Sequence, residues 1–522
     1  MPGTRRHALP LLLAAGLLTA CGSTVQVSGS AVVGGGSQLG GANGGQGLGG
    51  SGLGPGTTGG TGSGGLVTGP GTGGSTGALV GGTAGSGTTG GYPIPDTGSG
   101  LPPGVTASSV YVGFVYDKNA DGANSAVGIG TITHGDSRAN TNAVIKDINA
   151  HGGVGGRKIV PVWAGADSTS NQTLDQQDAA VCDQFTHDKP RVYAVVEALR
   201  EAYRQCLAKA GVVMLNDSLP AAGEAELRRA PTYIEQGYPN VDRLARYYVT
   251  SLVEQKYFTP WDTVNAQPAA AGTVKVGILT LDDRVFSKAV NDYLVPALKR
   301  LGYDPLVEKV SPLQRLSDSG SQAAAVKAAQ LAFAANGVTH VIPFETNGNL
   351  STFFLPTARS QSYYPRYGVY TGSASEALLE SGVVEQKQMN GAVGFGWVPA
   401  IDLQKGDNPP NGKYSNDSRR HCLQVMSANG ITFDSGNAEA IALNTCSSLY
   451  LLKATLDRKP SAIAPASFIA TLQSLGTSYQ NAGGVGEEFR PGVQDPPNKA
   501  YAWGYVAACG CFRYSGAPRT IP

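Results

Sequence analysis

The chain has 522 residues, a formal net charge of +1 and 15% charged residues. That length is more than one compact core accommodates. The near-balanced charge excludes a basic field for nucleic acid. The 73 glycines crowd toward the N-terminus, so the remainder has an ordinary globular composition.

Met1 to Cys21 has the pattern of an export signal. Arg5 and Arg6 precede an apolar run, Leu9 to Leu18, that is too short to span a bilayer. The run ends in Leu18-Thr19-Ala20-Cys21-Gly22, which resembles the lipobox of bacterial lipoproteins. The expectation is a signal peptide at 1–20 and a lipidated, palmitate-bearing Cys21 that anchors the exported chain to the outer face of the bacterial cell membrane. The alternative is ordinary cleavage with Cys21 unmodified. Residues 21–105 are mostly Gly, Ser and Thr, a composition that cannot bury enough surface to fold. They read as a tether, with an end-to-end distance of roughly 50 Å for the flexible coil. Two motif matches fall inside it, Gly45–Gly50 as GxGxxG and Gly73–Gly77 as GxSxG. Neither has the flanking strand and helix that give such motifs their chemistry.

Strands and helices then alternate. Val110–Val115 reads as a strand. An amphipathic helix follows, with Ala139, Ala143, Val144 and Ile148 at helical spacing. It ends at Gly152-Gly153, and Lys158–Trp163 is the next strand. A helix over Asn171–His187, a strand at Val192–Val196, a helix carrying Tyr203 and Leu207, and a strand at Gly211–Leu215 complete a doubly wound unit. The pattern restarts with a helix at Asn240–Gln255 and a strand at Val274–Leu279. It continues with helix Phe286–Leu301, strand Leu306–Val310, helix Gln322–Asn336, and strands Thr339–Phe344 and Tyr367–Tyr370. The segment Ala392–Val398 follows, then helices near Arg419–Ala428, Ala438–Leu456 and Pro465–Leu475. The tail, Tyr501–Tyr514, reads as one or two strands.

The segment Ile148-Asn149-Ala150-His151-Gly152-Gly153-Val154-Gly155-Gly156-Arg157, the Asn216–Ser218 strand end and the second α/β unit together resemble type I periplasmic binding proteins. The likeness is to the branched-chain amino acid (Leu/Ile/Val) kind that serves ABC importers. It covers about residues 108–515. It implies an α/β fold of two doubly wound lobes joined by three hinge crossovers, near Asn216–Ser218, Thr371–Ser373 and Gly476–Gly486. Lobe I would hold 106–218 plus 373–480, and lobe II 219–372 plus 481–522. Ligands of open parallel sheets bind beyond the carboxyl ends of the strands.

Carried over loop by loop, the resemblance implies a ligand set. Lobe I would contribute Tyr116 and Asp117, Glu197 and Ala198, and Asn216, Asp217 and Ser218. Lobe II would contribute Asp282 and Phe286, then Glu345, Thr346 and Asn347, with Thr371 and Ser373 from a crossover. Trp397 could add an apolar wall, although core packing is the simpler expectation. This chain departs from the leucine-type pattern at Glu197, whose carboxylate would repel a ligand carboxylate unless Arg200 compensates. A cationic, amide or polyhydroxylated ligand therefore stands beside an amino acid.

Six further cysteines in an exported chain suggest disulfides. Cys182 and Cys206 lie on helices flanking one strand, and Cys422 and Cys446 on successive helices. Each such loop would stabilise the fold by roughly 3–4 kcal/mol in the chain-entropy model. Cys509-Gly510-Cys511 reads as a local structural disulfide, with a redox or metal site as the alternative. No cofactor motif, zinc pattern or nucleophile–base pairing stands out, so no catalytic residue and no enzyme activity is expected. Asp117–Gly122 matches the first half of a calcium loop, but Gly128 occupies the position of the bidentate Glu. The expected function is capture of a small polar, amino-acid-like solute in the cleft between the lobes for an ABC permease, with no nucleic acid partner. The alternatives are a sensor lipoprotein signalling to a membrane partner and a cell-wall interaction protein without a transport role.

Overall fold

The computed structural model describes residues 100–196, 200–218, 222–407, 416–459 and 463–522. The export signal, Cys21 and most of the tether lie outside these residues. The strands are β1 (Ser109–Asp117), β2 (Lys158–Ala166), β3 (Ala194–Val196), β4 (Val213–Asn216), β5 (Tyr233–Glu235), β6 (Trp261–Asp262) and β7 (Gln267–Pro268). They continue with β8 (Val276–Leu281), β9 (Leu306–Val310), β10 (His340–Phe344), β11 (Arg366–Tyr370), β12 (Val393–Gly396), β13 (Lys499–Val506) and β14 (Cys511–Thr520).

Five strands form a wholly parallel sheet in the order β2-β1-β3-β4-β5. Seven form a second sheet, β14-β13-β12-β11-β10-β8-β9, parallel from β12 to β9 and antiparallel at β13 and β14. β6 and β7 make a separate hairpin. Residues alternate across β1: Val110, Val112 and Phe114 are buried on the side of helix Ser137–Ala150, which contributes Val144 and Ile148 to the same core. The opposite side packs Val195 and Met214 under helices Leu174–Thr186 and Glu201–Lys209. Helices Asp417–Ala428, Gly436–Asp457 and Pro465–Gln473 return to the first sheet, with Met426, Leu449 and Phe468 in its core.

The segment carrying the family likeness has a mechanical role. Asn149, near the end of its helix, donates from Nδ2 to the Ile159 carbonyl at 3.0 Å and accepts from the Ile159 amide at 2.8 Å. One side chain thus fixes where β2 begins. Gly153 has φ +71°, and a Cβ there would lie 2.0 Å from the Arg157 carbonyl oxygen, so only glycine closes this helix into this strand.

The chain passes between the sheets three times: after β5, after β12, and between helix Pro465–Gln473 and β13. The passages are tied together. Trp397 Nε1 donates to the Gly237 carbonyl at 3.1 Å, and Asn481 Nδ2 to Asp217 Oδ1 at 2.9 Å. Two lobe bounds differ from expectation. β5, assigned beforehand to lobe II, completes the first sheet, because the short helix Glu224–Arg229 returns the chain for one more parallel strand. β12, assigned beforehand to lobe I, stays in the second sheet, pairing Gly368–Tyr370 on one side and Tyr501–Gly504 on the other. Neither stretch has enough apolar periodicity to announce its sheet.

All three expected disulfides are present: Cys182–Cys206, Cys422–Cys446 and Cys509–Cys511. The first two cross-link helix pairs on opposite faces of the first sheet. The third lies in the turn between β13 and β14. No helix among the described residues is long and apolar enough to cross a membrane.

Candidate functional site

The carboxyl edge of the first sheet opens into a cavity of about 450 Å³. Its wall includes Asp117 from the end of β1, Asp121 from the short helix Ala120–Ala126, His134 from the loop after it, Asp178, Arg200 and Tyr203. Asp178 lies in the first turns of helix Leu174–Thr186, whose start is fixed by a capping box between Thr173 and Gln176. Arg200 is the N-cap of helix Glu201–Lys209, and Tyr203 sits one turn in.

Asp178 is buried and meets Arg200 in a two-pronged pair, with Nε to Oδ2 at 2.5 Å and Nη2 to Oδ1. Burial raises the Asp178 carboxyl above the usual range, and the Arg200 hydrogen bond and charge oppose that shift. Tyr203 is 3% exposed, and its hydroxyl has no hydrogen-bond partner among the described residues. Burial raises its phenol strongly, and the adjacent Asp178 charge raises it further. A buried hydroxyl without a partner forfeits about 1–3 kcal/mol of desolvation free energy, so a ligand atom that met it would recover that loss. At the mouth, Asp121 accepts from the His134 amide at 2.7 Å and faces His134 Nδ1 at 3.0 Å. Asp117 accepts from the amides of Asn119 and Ser168, each at 3.1 Å.

The expected ligand residues meet different fates. Asp117 lines the cavity. Tyr116 does not: as its neighbour in the strand it faces the other side, where Arg138 lies 4.8 Å from its ring. Asn216, Asp217 and Ser218 are drawn into the crossovers. Asn216 donates to buried Glu235, Asp217 accepts from Asn481, and Ser218 donates to Asn216 at 3.2 Å. Glu197 and Ala198 lie outside the described residues. Asp178 and Tyr203 were missed, because nothing in the linear spacing shows that two separate helices meet at one strand end. The sequence marks Arg200 only as a compensating charge.

At the second sheet three of the expected polar residues, Glu345, Thr371 and Ser373, serve the fold. Glu345 is fully buried and caps the helix Ser351–Ser360, accepting from the Leu350 amide and from the amide and hydroxyl of Ser351. Thr371 donates to Asp402 at 2.8 Å and accepts from the Trp397 amide at 3.0 Å. Ser373 donates to the Tyr370 carbonyl at 2.6 Å. Phe286 is a core residue, 3% exposed, with its ring 5.3 Å from that of Phe344. These strands end against crossovers and helix starts, whose backbone groups must be satisfied in a dry interior. Trp397 is likewise core, 1% exposed and edge-on to Tyr238. Asp282, Thr346 and Asn347 stay on the carboxyl-end loops of this sheet, outside the 450 Å³ cavity, and the buried Thr346 hydroxyl has no partner among the described residues.

Beside the cavity the two lobes meet through charge. Arg284, just after β8, pairs with Glu201 and lies 2.7 Å from Glu226; Arg229 approaches Glu201 at 3.3 Å. Arg246 pairs with Glu224. Burial raises the Glu201 carboxyl, but the Arg284 hydrogen bond and charge outweigh it and hold the group below its ordinary value. The Leu174 amide also donates to the Gln314 carbonyl at 3.0 Å across the same gap.

No protein-family model and no curated protein matches this sequence. Solved structures do match. The extracellular ligand-binding receptor of Rhodopseudomonas palustris HaA2 is 15% identical with a TM-score of 0.54, over 78% of this chain and 99% of that one. The fold is that of a type I periplasmic binding protein. The branched-chain amino acid transporter substrate-binding protein of Streptococcus pneumoniae, solved with isoleucine, is 14% identical with a TM-score of 0.51, over 79% and 99%. A fatty acid ABC transporter substrate-binding protein of Thermomonospora curvata is 14% identical with a TM-score of 0.51, over 81% and 93%. A type I fold thus serves unlike ligands, and specificity rests on the residues of each chain.

Proposed function

We propose that this chain is an extracytoplasmic, lipid-anchored solute-binding protein that presents a small polar ligand to an ABC permease. The observation that carries this reading is the cavity at the carboxyl edge of the first sheet, where buried Tyr203 leaves its hydroxyl without a partner beside the Asp178–Arg200 pair. Open parallel sheets receive ligands at this edge. Closing a second lobe over the ligand requires no chemistry, only tighter binding in the closed state than in the open one. The sequence of Leu18–Gly22 supports export and lipidation at Cys21.

Native mass spectrometry of the mature chain tests this reading. A co-purified small molecule, or a rise in melting temperature with one member of a panel of amino acids, sugars and polyamines, is the expected result. No mass shift together with no stabilised melt would sink it. A second reading is favoured by the Arg284–Glu201 contact, which joins the lobes directly. In that reading the chain is a cell-wall interaction protein whose lobes stay shut, and scattering curves would not change with any ligand in the panel.

A further inference from the structure

The cavity at the first sheet edge is unequal in what it offers a ligand. Three carboxylates line it, Asp117, Asp121 and Asp178, against two side chains of fixed positive charge, Lys118 and Arg200. Among the described residues of its wall one cation–anion contact is already made: Arg200 gives two donors to Asp178. Each Asp178 oxygen then has further lone-pair capacity, since an ionised carboxylate accepts about four hydrogen bonds. Tyr203, whose hydroxyl can both give and accept, lines the same cavity and has no partner among the described residues. The imbalance is therefore in acceptors and in negative charge. An incoming carboxylate would meet Asp117 and Asp121, and the half-buried guanidinium it needs is already paired with Asp178. A hydroxyl or ammonium group would give protons to Asp178 and Asp117 and offer an oxygen, or a further proton, to Tyr203.

We infer that this cavity recognises a donor-rich head group, hydroxyls or an amine, and does not take the carboxylate end of an amino acid. The inference rests on the solute-binding reading and narrows it to a ligand class. Asp178 and Tyr203 are its specificity-determining residues, placed by two helices that flank β3.

The test is calorimetric titration and thermal melting of the mature chain with three probes: spermidine for the amine, myo-inositol for the hydroxyls and leucine for the carboxylate. Binding of spermidine or myo-inositol is expected, and which of the two binds identifies the source of the donors. Tyr203→Phe should weaken that binding about tenfold, the worth of one hydrogen bond near 1.4 kcal/mol. It should not lower the ligand-free melting temperature, because it removes only an oxygen without a partner. Asp178→Asn should weaken spermidine more than myo-inositol. If leucine binds and Tyr203→Phe leaves its affinity unchanged, the inference is overturned while the solute-binding reading stands. If none of the three probes binds but another member of the wider panel does, the donor-rich assignment likewise falls alone. If nothing in the panel binds, both fall together.

Discussion

The carboxyl edges of the two sheets began as equals in the sequence, each a row of polar residues after apolar strands. In the folded chain they differ. At the first sheet, polar groups from separate helices converge on open space: Asp178 and Arg200 pair at its wall, and Tyr203 is left over. At the second sheet, Glu345, Thr371 and Ser373 are taken up by a helix start and a crossover. A polar residue at a strand end is thus equally suited to holding a ligand and to satisfying backbone, and the groups packed around it decide which.

The largest effect that can break this comparison is at Phe286. If it is core and no ligand wall, Phe286→Ala costs about 3–5 kcal/mol of stability and leaves ligand affinity within twofold. Urea unfolding and calorimetry on the same preparation separate the two. Glu345→Ala comes next. Loss of its cap on the helix Ser351–Ser360 is expected to cost about 1–2 kcal/mol, again without a change in affinity; a specific loss of binding would return this edge to the site.

The buried carboxyls make a pH prediction. Burial pushes Glu235 up to about 8, against hydrogen bonds from Tyr233 and Asn216. It likewise pushes Glu376 up to about 8, and Glu345 and Asp402 to about 7. A carboxyl that holds its proton more tightly when folded stabilises fully below its unfolded value, and that contribution is lost as pH rises through the folded value. His340, lowered to about 4 by burial first and by Arg366 second, works oppositely as pH falls below its ordinary value of 6.5. Above that value the carboxyls act alone, so the melting temperature should fall between about pH 6.5 and pH 8. Glu235→Gln should flatten part of the slope, and an unchanged slope would show that Glu235 is not among its sources. The smallest effect is at the lobe contact. Arg284→Ala should cost about 1 kcal/mol or less, because Arg284 is exposed. It should nevertheless increase the radius of gyration of the ligand-free chain in small-angle scattering, as raised salt should.

How far the sequence reached follows from the range of each interaction. Strand and helix positions were legible because their periodicities are local: Leu306–Val310 and Pro465 onward lie where the pattern placed them. The Asn149–Gly153 segment was legible as a turn, and its role in setting the start of β2 follows from contacts only about ten residues apart. The cysteine pairs were legible because each joins neighbouring elements, 24 residues apart in two cases and 2 in the third. The sheet membership of β5 and β12 was not, since a strand of three or four residues is assigned by the edge it meets. The site was least legible. Asp178 and Arg200 stand 22 residues apart on different helices, and Asp217 reaches Asn481 across 264. The sequence by itself determined the periodicities, the turns and the near neighbours, because these depend on local sterics and apolar spacing. Only the tertiary structure decided which polar side chains were sealed into crossovers and which remained beside open space, because desolvation depends on everything packed around a group.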